Sequence, residues 1–294
     1  MKIIILGNIL FTEQIINYLI KKKIIIVGIV SQNNRKTKDD FIDLSKIAKK
    51  NRLPHLETSN INSKKSINWI KKKNCDLIIS IGWSQIIKHN FFKLVKKKII
   101  GYHPSELPKN RGRHPIIWSL VLDLKKTAST FFHMSEKIDV GQIIDQKIIT
   151  IPKHYTSQNL YNALCKIAQK QLLNIIKFEK FNKKIKIKNK DKTSNYWRAR
   201  DKKDGLIDWR MNSENIYNLI RALNKPYSGA TFNYKNNEYC VFESKIINKN
   251  LKNIEPGKVL KKYDNNAYLI KTGNKALKIS QIVPKIKLKK NLYL

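Results

Sequence analysis

The stretch MKIIILGNILFTEQIINYLIKKKIIIVGIV (Met1–Val30) decides the fold class. Lys2 to Leu6 is a short apolar run that ends at Gly7. Ile9, Leu10, Ile15, Ile16, Leu19 and Ile20 then recur at near-helical spacing, and Ile24 to Val30 is a second unbroken apolar run. Unbroken apolar runs of this length read as strands buried on both faces. An amphipathic helix between two of them makes a strand–helix–strand unit, which predicts a parallel α/β sheet. The opening segment has only a short apolar run, then polar residues, and no small-residue cleavage site, so it reads as a first strand rather than a signal peptide.

The alternation continues outward. Phe41–Lys50 and Lys64–Lys73 read as helices, Asp76–Ile81 and Ile99–Tyr102 as strands, and Pro115–Leu122 as a helix with proline in its first turn. Ala128–Met134, rich in Thr and Phe, reads as a strand, and Ser157–Phe178 as a long helix. From about Lys180 to Lys192 the chain is a Lys/Asn run with little apolar content, the best candidate linker. Beyond it lie one helix, Ser213–Ala222, and five short runs: Ala230–Tyr234, Tyr239–Glu243, Gly257–Lys262, Ala267–Lys271 and Ala276–Ile282. Short strands at this spacing predict a small β-barrel or sandwich.

Composition excludes several classes. At 294 residues, 41% hydrophobic and 28% charged, the chain can bury a substantial core. No apolar run approaches the roughly 20 residues of a membrane helix. Cys75, Cys165 and Cys240 are far apart and lack metal-ligand spacing, as in spare thiols of a reducing cytoplasm. LGN at Leu6–Asn8 is not a G-x-G-x-x-G turn, which disfavours a nicotinamide dehydrogenase. The net charge is +39, yet only eight of the 60 basic residues are arginine and the lysines are spread along the chain. The runs at Lys21–Lys23, Lys71–Lys73 and Lys96–Lys98 read as solvated helix ends and loops. Such a charge favours anionic partners by long-range attraction without marking one nucleic-acid face.

Chemistry-bearing residues concentrate in two segments. GYHPSELPKNRGRHPIIW (Gly101–Trp118) follows a buried strand and carries His103, Ser105, Lys109, Asn110, Arg111 and Arg113 on a backbone shaped by prolines and glycines. HMSEKIDVGQII (His133–Ile144) follows another strand and places Asp139 two residues before Gly141. Sites in open α/β sheets form where loops leave the carboxyl ends of strands.

The motif H-P-S-x-L-P-x-x-R-G-R (His103–Arg113), followed by M-x-E-x-x-D-x-G (Met134–Gly141), resembles the 10-formyltetrahydrofolate-dependent formyltransferases. The resemblance extends to LIISIGWSQII (Leu77–Ile87), DGLIDW (Asp204–Trp209) and LIRALNKPYSGA (Leu219–Ala230), and so covers nearly the whole chain. It implies an α/β protein: a Rossmann-like parallel-sheet formyltransferase domain at 1–180, a linker at 181–200, and a small, mainly β C-terminal domain at 201–294, an OB-like barrel.

The resemblance also implies a reaction. An amine attacks the formyl carbon of 10-formyltetrahydrofolate, negative charge grows on the carbonyl oxygen, and the amine sheds a proton. His103 would stand beside the formyl group, with Asp139 holding it. The folate would lie near Gly82, Trp83, Ile86 and Ile87 and against the loop of Met134 and Ser135. Ser105, Asn110, Arg111 and Arg113 are the candidate substrate-binding residues, and no metal is implied. In one respect the chain departs from the family. Members commonly have Asn-x-His, and here the order is Gly101-Tyr102-His103. A lost oxyanion donor costs about 3–4 kcal/mol of transition-state stabilisation. His114 is the candidate replacement, with Asn110 second. Lys137 and Gln142 also stand where Gly and Asp are common.

Two acceptors compete. The wording GYHP…NRGRHP…STFF is closer to the sugar-directed branch, which implies a nucleotide-linked amino sugar. The alternative is methionine on initiator tRNA. The tRNA enzymes carry a proline-containing basic loop after the second strand. The corresponding stretch, Ser31–Lys50, has RKTK, no proline and three acids. A third reading, from another class, is a weakened folate-binding relative. The implied partners are thus folate and a small anionic acceptor, with tRNA as the competitor and no membrane. The oligomeric state stays open, a dimer included.

Overall fold

The computed structural model describes residues 1–32, 40–95, 98–180, 194–249 and 251–294. The RKTK run at 35–38, residues 181–193 of the expected linker, and Lys96 and Lys97 lie outside the described residues.

The elements of the first part, in order, are β1 (Lys2–Leu6), α1 (Leu10–Lys21), β2 (Ile25–Gln32), α2 (Leu44–Lys50), β3 (His55–Thr58), α3 (Lys64–Lys72), β4 (Leu77–Ser80), α4 (His89–Val95), β5 (Lys98–His103), β6 (Arg111–Gly112), α5 (Pro115–Val121), β7 (Lys126–His133), β8 (Ile143–Thr150), α6 (Ser157–Lys180) and β9 (Tyr196–Trp197). Seven strands form one sheet in the order β3-β2-β1-β4-β5-β7-β8. The pairings from β3 through β5 are parallel, as the alternation predicts. β7 departs from it and joins β5 antiparallel, with Gly101 opposite Phe132 and His103 opposite Thr130.

Local chemistry sets the helix ends. The helix expected from Phe41 begins at Leu44, because the Asp43 carboxylate accepts the Ser45 N–H as an N-cap and Phe41 instead bridges to Ile9. Ser63 caps α3 by accepting the Ser66 N–H. α1 buries Phe11, Ile15, Ile16 and Leu19 against the sheet, each worth about 1.5–3 kcal/mol of burial. On the face of β5 away from His103, Tyr102 stacks on Phe11 with ring centroids 4.9 Å apart and tilts against Phe131. Its hydroxyl accepts from Ser129 Oγ at 3.2 Å, and burial pushes the phenol's pKa up. Alternation along β5 therefore turns Tyr102 toward Phe11 and Phe131 and leaves Gly101 and His103 on the other face.

The strand order reverses between β1 and β4. β2 and β3 run outward from β1 on one side, and β5 follows β4 on the other. In an open α/β sheet this reversal opens a crevice outside the carboxyl ends of the strands. Ile81 and Gly82 leave β4 there, and His103 is the last residue of β5 beside it.

The second part holds α7 (Ser213–Ala222), β10 (Ala230–Tyr234), β11 (Asn237–Ile247), β12 (Val259–Tyr263), β13 (Ala267–Lys271) and β14 (Ala276–Val283). Its five strands form a sheet in the order β10-β11-β14-β13-β12, antiparallel throughout. The expected small β domain is thus an antiparallel sheet, and among the described residues no ladder joins its edge strands β10 and β12 into a closed barrel. Contacts divide the chain into two compact units. One comprises Met1–Pro115, Thr127–Thr150 and Tyr161–Trp197; the other comprises Ile116–Lys126, Ile151–Leu160 and Arg198–Leu294. Among the described residues no helix is long and apolar enough to cross a membrane.

Candidate active site

His103 ends β5 with its side chain almost wholly buried, 7% exposed. Its Nε2 lies 2.9 Å from the Asn110 carbonyl. A carbonyl can only accept, so Nε2 carries a proton and donates it. Nδ1 then faces Asp139 Oδ2 at 3.6 Å, longer than a hydrogen bond. The Asp139 carboxylate is 16% exposed and accepts the Gly112 N–H through the same oxygen at 2.9 Å. Two strand ends, β5 and β7, and the loop 104–114 thus meet around one imidazole.

That loop has an unusual backbone. Asn110, Gly112 and His114 all lie in the left-handed region, at φ 60°, 98° and 52°, and Asp139 joins them at 51°. Non-glycine residues rarely adopt this conformation, and such strained positions persist where the surroundings over-determine them. Gly112 has no alternative: a Cβ there would stand 2.3 Å from the Trp197 carbonyl oxygen.

The other four predicted residues of this loop differ in their surroundings. Ser105 is fully buried, and its hydroxyl donates to the Lys109 carbonyl while its own carbonyl accepts from Thr130. So placed, Ser105 braces the loop. Arg111 stacks on Tyr196, guanidinium carbon 5.5 Å from the ring centroid, and donates to its hydroxyl at 3.2 Å. Arg113 is exposed and reaches the Ser84 carbonyl at 3.4 Å, joining loop 104–114 to the loop after β4. His114 is exposed at the turn into α5.

The residues expected around the folate divide by burial. Ile87 and the partly buried Trp83 and Met134 belong to one apolar cluster with Phe91, Ile61 and Leu6. Ile86 is exposed, as is Ile138 beside Asp139. Trp83 Nε1 is buried with no hydrogen-bond partner among the described residues. Ser135 donates to the carbonyls of Lys137 and Val140, closing its loop on itself. Among the described residues no group of three or more His, Cys, Asp or Glu side chains is gathered as metal ligands.

Gly101 resolves the departure from the Asn-x-His pattern in steric terms. A Cβ on it would meet the Phe132 ring tip at 2.7 Å and Met134 Cγ at 2.8 Å. The space a side chain would take is filled from the neighbouring strand and the loop that follows it.

The formyl transferase family model matches residues 1–176, and the model of the formyl transferase C-terminal domain matches 200–291. The chain belongs to the formyl transferase family. The bifunctional polymyxin resistance protein ArnA of Wigglesworthia glossinidia brevipalpis is 36% identical over 243 residues, which are 81% of this chain and 36% of that protein. The chain thus spans little more than a third of that relative's length. The methionyl-tRNA formyltransferase of Buchnera aphidicola subsp. Acyrthosiphon pisum (strain Tuc7) is 27% identical over 286 residues, 96% of this chain and 90% of the relative. Among solved structures, the sugar 3N-formyl transferase WlaRD, crystallised with dTDP and 5-N-formyl-THF, superposes with a TM-score of 0.69 at 20% identity, covering 97% of this chain and 99% of the other. At that identity the likeness is one of fold.

Proposed function

We propose that this formyl transferase moves a formyl group from 10-formyltetrahydrofolate to a primary amine, that of a nucleotide-linked amino sugar. The observation that carries the reading is the enclosed His103–Asp139 pair at the carboxyl end of β5, beside the reversal of strand order. The residues around it suit a folate. Among the described residues Trp83 Nε1 is a buried donor that lacks an acceptor, and Ile86 and Ile138 offer exposed apolar side chains to a planar ring. Trp83, Ile86, Met134 and Ile138 would hold it.

Bound 10-formyltetrahydrofolate supplies an electrophilic carbonyl carbon. His103 does the proton work on one edge. Its Nε2–H is committed to Asn110, so Nδ1 is the atom that takes the proton from the amine and returns it to the departing nitrogen. Asp139 faces that edge and stabilises the imidazolium while it exists. The Gly112 N–H holds the carboxylate in place. The charge on the carbonyl oxygen requires a further donor that Gly101 does not supply, and His114 is the residue assigned to it, with Asn110 as its competitor.

The sugar acceptor draws support from the wording of the His103 segment. The tRNA reading has its own support in the net charge of +39 and in methionyl-tRNA formyltransferases that align over 96% of the chain. Tetrahydrofolate release, measured with 10-formyltetrahydrofolate and a panel of amino-sugar nucleotides beside charged initiator tRNA, separates them. Turnover with a sugar nucleotide is expected. Turnover with charged tRNA alone would reverse the acceptor. Folate binding without turnover on any amine would leave a weakened binding relative.

A further inference from the structure

The four consecutive amides of the catalytic loop have distinct partners. Asn110 N–H donates to the side-chain Oδ1 of Asn195 at 2.8 Å, Arg111 N–H to the Asn195 carbonyl at 3.1 Å, and Arg113 N–H to the Trp197 carbonyl at 3.0 Å. The remaining amide, of Gly112, is the one that binds Asp139. β6 and β9 are the short parallel pairing these bonds make, Arg111 against Tyr196 and Gly112 against Trp197. The carbonyl of the first of these residues, Asn110, is the acceptor for His103 Nε2.

We propose that Asn195–Trp197 is a positioning strap for the reacting pair, and that Asn195 is its key side chain. The two non-glycine residues held left-handed, Asn110 and His114, keep that conformation where the surroundings fix it, and bonds to the amides of 110, 111 and 113 supply such a hold. The strap holds these three, which leaves the Gly112 amide aimed at Asp139 and the Asn110 carbonyl aimed at His103. Of the strap's three bonds to these amides, two use backbone carbonyls that any residue provides. Only the Asn195 amide oxygen is set by residue identity. Asn195 touches neither His103 nor Asp139 in this arrangement. It acts through the Asn110 backbone: its Oδ1 fixes the peptide before Asn110, its own carbonyl holds the Arg111 N–H of the peptide after it, and the carbonyl of that second peptide sets which imidazole nitrogen bears the proton. Its effect on turnover rests on the reading of His103 as the proton-transfer group.

The test pairs Asn195→Ala with Asn195→Asp, which keeps an acceptor oxygen in place. Two readouts are used: the ¹⁵N shifts of the His103 ring, and kcat and KM for formyl transfer. In the parent chain the ring shifts should report a proton held on Nε2. In N195A they should move toward a mixture of tautomers, kcat should fall about five- to tenfold, as loss of one neutral hydrogen bond implies, and KM for the folate should stay within about twofold. N195D should restore the parent ring shifts and most of kcat. Unchanged ring shifts and kcat in N195A would overturn the proposal. So would loss of both in an N195D protein that melts at the parent temperature, and this second variant decides the matter alone if N195A does not fold. The ring shifts need no substrate. A chain that transfers no formyl group but still shows the tautomer change would remove the functional reading and keep the strap.

Discussion

Gly101 and Phe132 face each other across β5 and β7, and the tip of the Phe132 ring lies 2.7 Å from where a Cβ on Gly101 would stand. Met134 Cγ lies 2.8 Å from the same point. Neither atom is the loose end of a flexible chain. Restoring the asparagine common in the family is therefore not a repair. Gly101→Asn should overpack the site, costing about 1–3 kcal/mol, and should not raise kcat. Thermal melting and formyl-transfer rates check this together. An asparagine variant as stable as the parent and more active would show that the position was open to a donor after all.

The proposed reacting pair, His103 and Asp139, makes a sharper prediction. Asp139→Asn keeps a carbonyl oxygen able to accept the Gly112 N–H but removes the negative charge that faces His103 Nδ1. Stability should hardly change, while kcat falls about 10²–10⁴-fold, the range for loss of a positioned acid–base function. His103→Ala should fall as far, and the double variant little further, because the two residues act as a unit. Multiplicative losses in the double variant would mean that His103 and Asp139 work separately.

Much of this centre is legible in the sequence. His103 and Asp139 sit in motifs whose polar residues follow apolar strands, and a strand end is where a sheet of this class presents chemistry. The alternation through Met1–Val30 is equally plain because β1 and β2 are buried along almost their whole length. β3 and β8 are not predicted: HLET and IIDQKIIT are half exposed and mixed in polarity, so neither periodicity stands out. The antiparallel entry of β7 is a matter of strand order, which no local pattern carries. Asn195 has no local signal either, since its partner Asn110 lies 85 residues away and the bond is to backbone. The filled space beside Gly101 depends on Phe132 and Met134 crossing from the next strand and its loop, so the sequence shows only a missing asparagine.

Arg221, in the LIRALNKPYSGA segment, explains part of that segment's chemistry. Its side chain is 3% exposed. It donates from Nε to Asn218 Oδ1 at 2.8 Å and from its terminal nitrogens to the Tyr155 and Leu120 carbonyls, at 3.0 and 3.4 Å, and to Asp123 Oδ1 at 2.9 Å. One planar fork thus gathers α7 with the segments 116–126 and 151–160 of its own unit. A lysine ammonium has neither the reach nor the number of donors to replace it. Arg221→Met leaves several acceptors without a donor, at about 1–3 kcal/mol for a buried one, while Asp123 is exposed enough for water to serve it. A total loss of about 3 kcal/mol is expected by denaturant unfolding, with Arg221→Lys between parent and Met. A methionine variant within the error of the parent would show that the fork is not a structural tie.

Glu214, at the start of α7, supplies a pH test. Hydrogen bonds from Lys275 Nζ at 2.6 Å and then from Asn274 hold its pKa down, at about 2 against an ordinary 4.5. The folded value lies below the unfolded one, so between pH 4.5 and 2 the unfolded chain binds the extra proton. Stability then rises with pH across that window. The contribution is complete above about pH 4.5 and is lost as the pH falls toward 2. Both partners are about one-third exposed, so solvent screens the pair and the effect is small. Glu214→Gln removes the titrating group. Melting temperatures taken at intervals from pH 6 to pH 2 should show the parent above the variant at the upper end and the two converging at the lower. A gap of the same size at every pH would mean that Glu214 stabilises α7 by packing or capping and not through its charge.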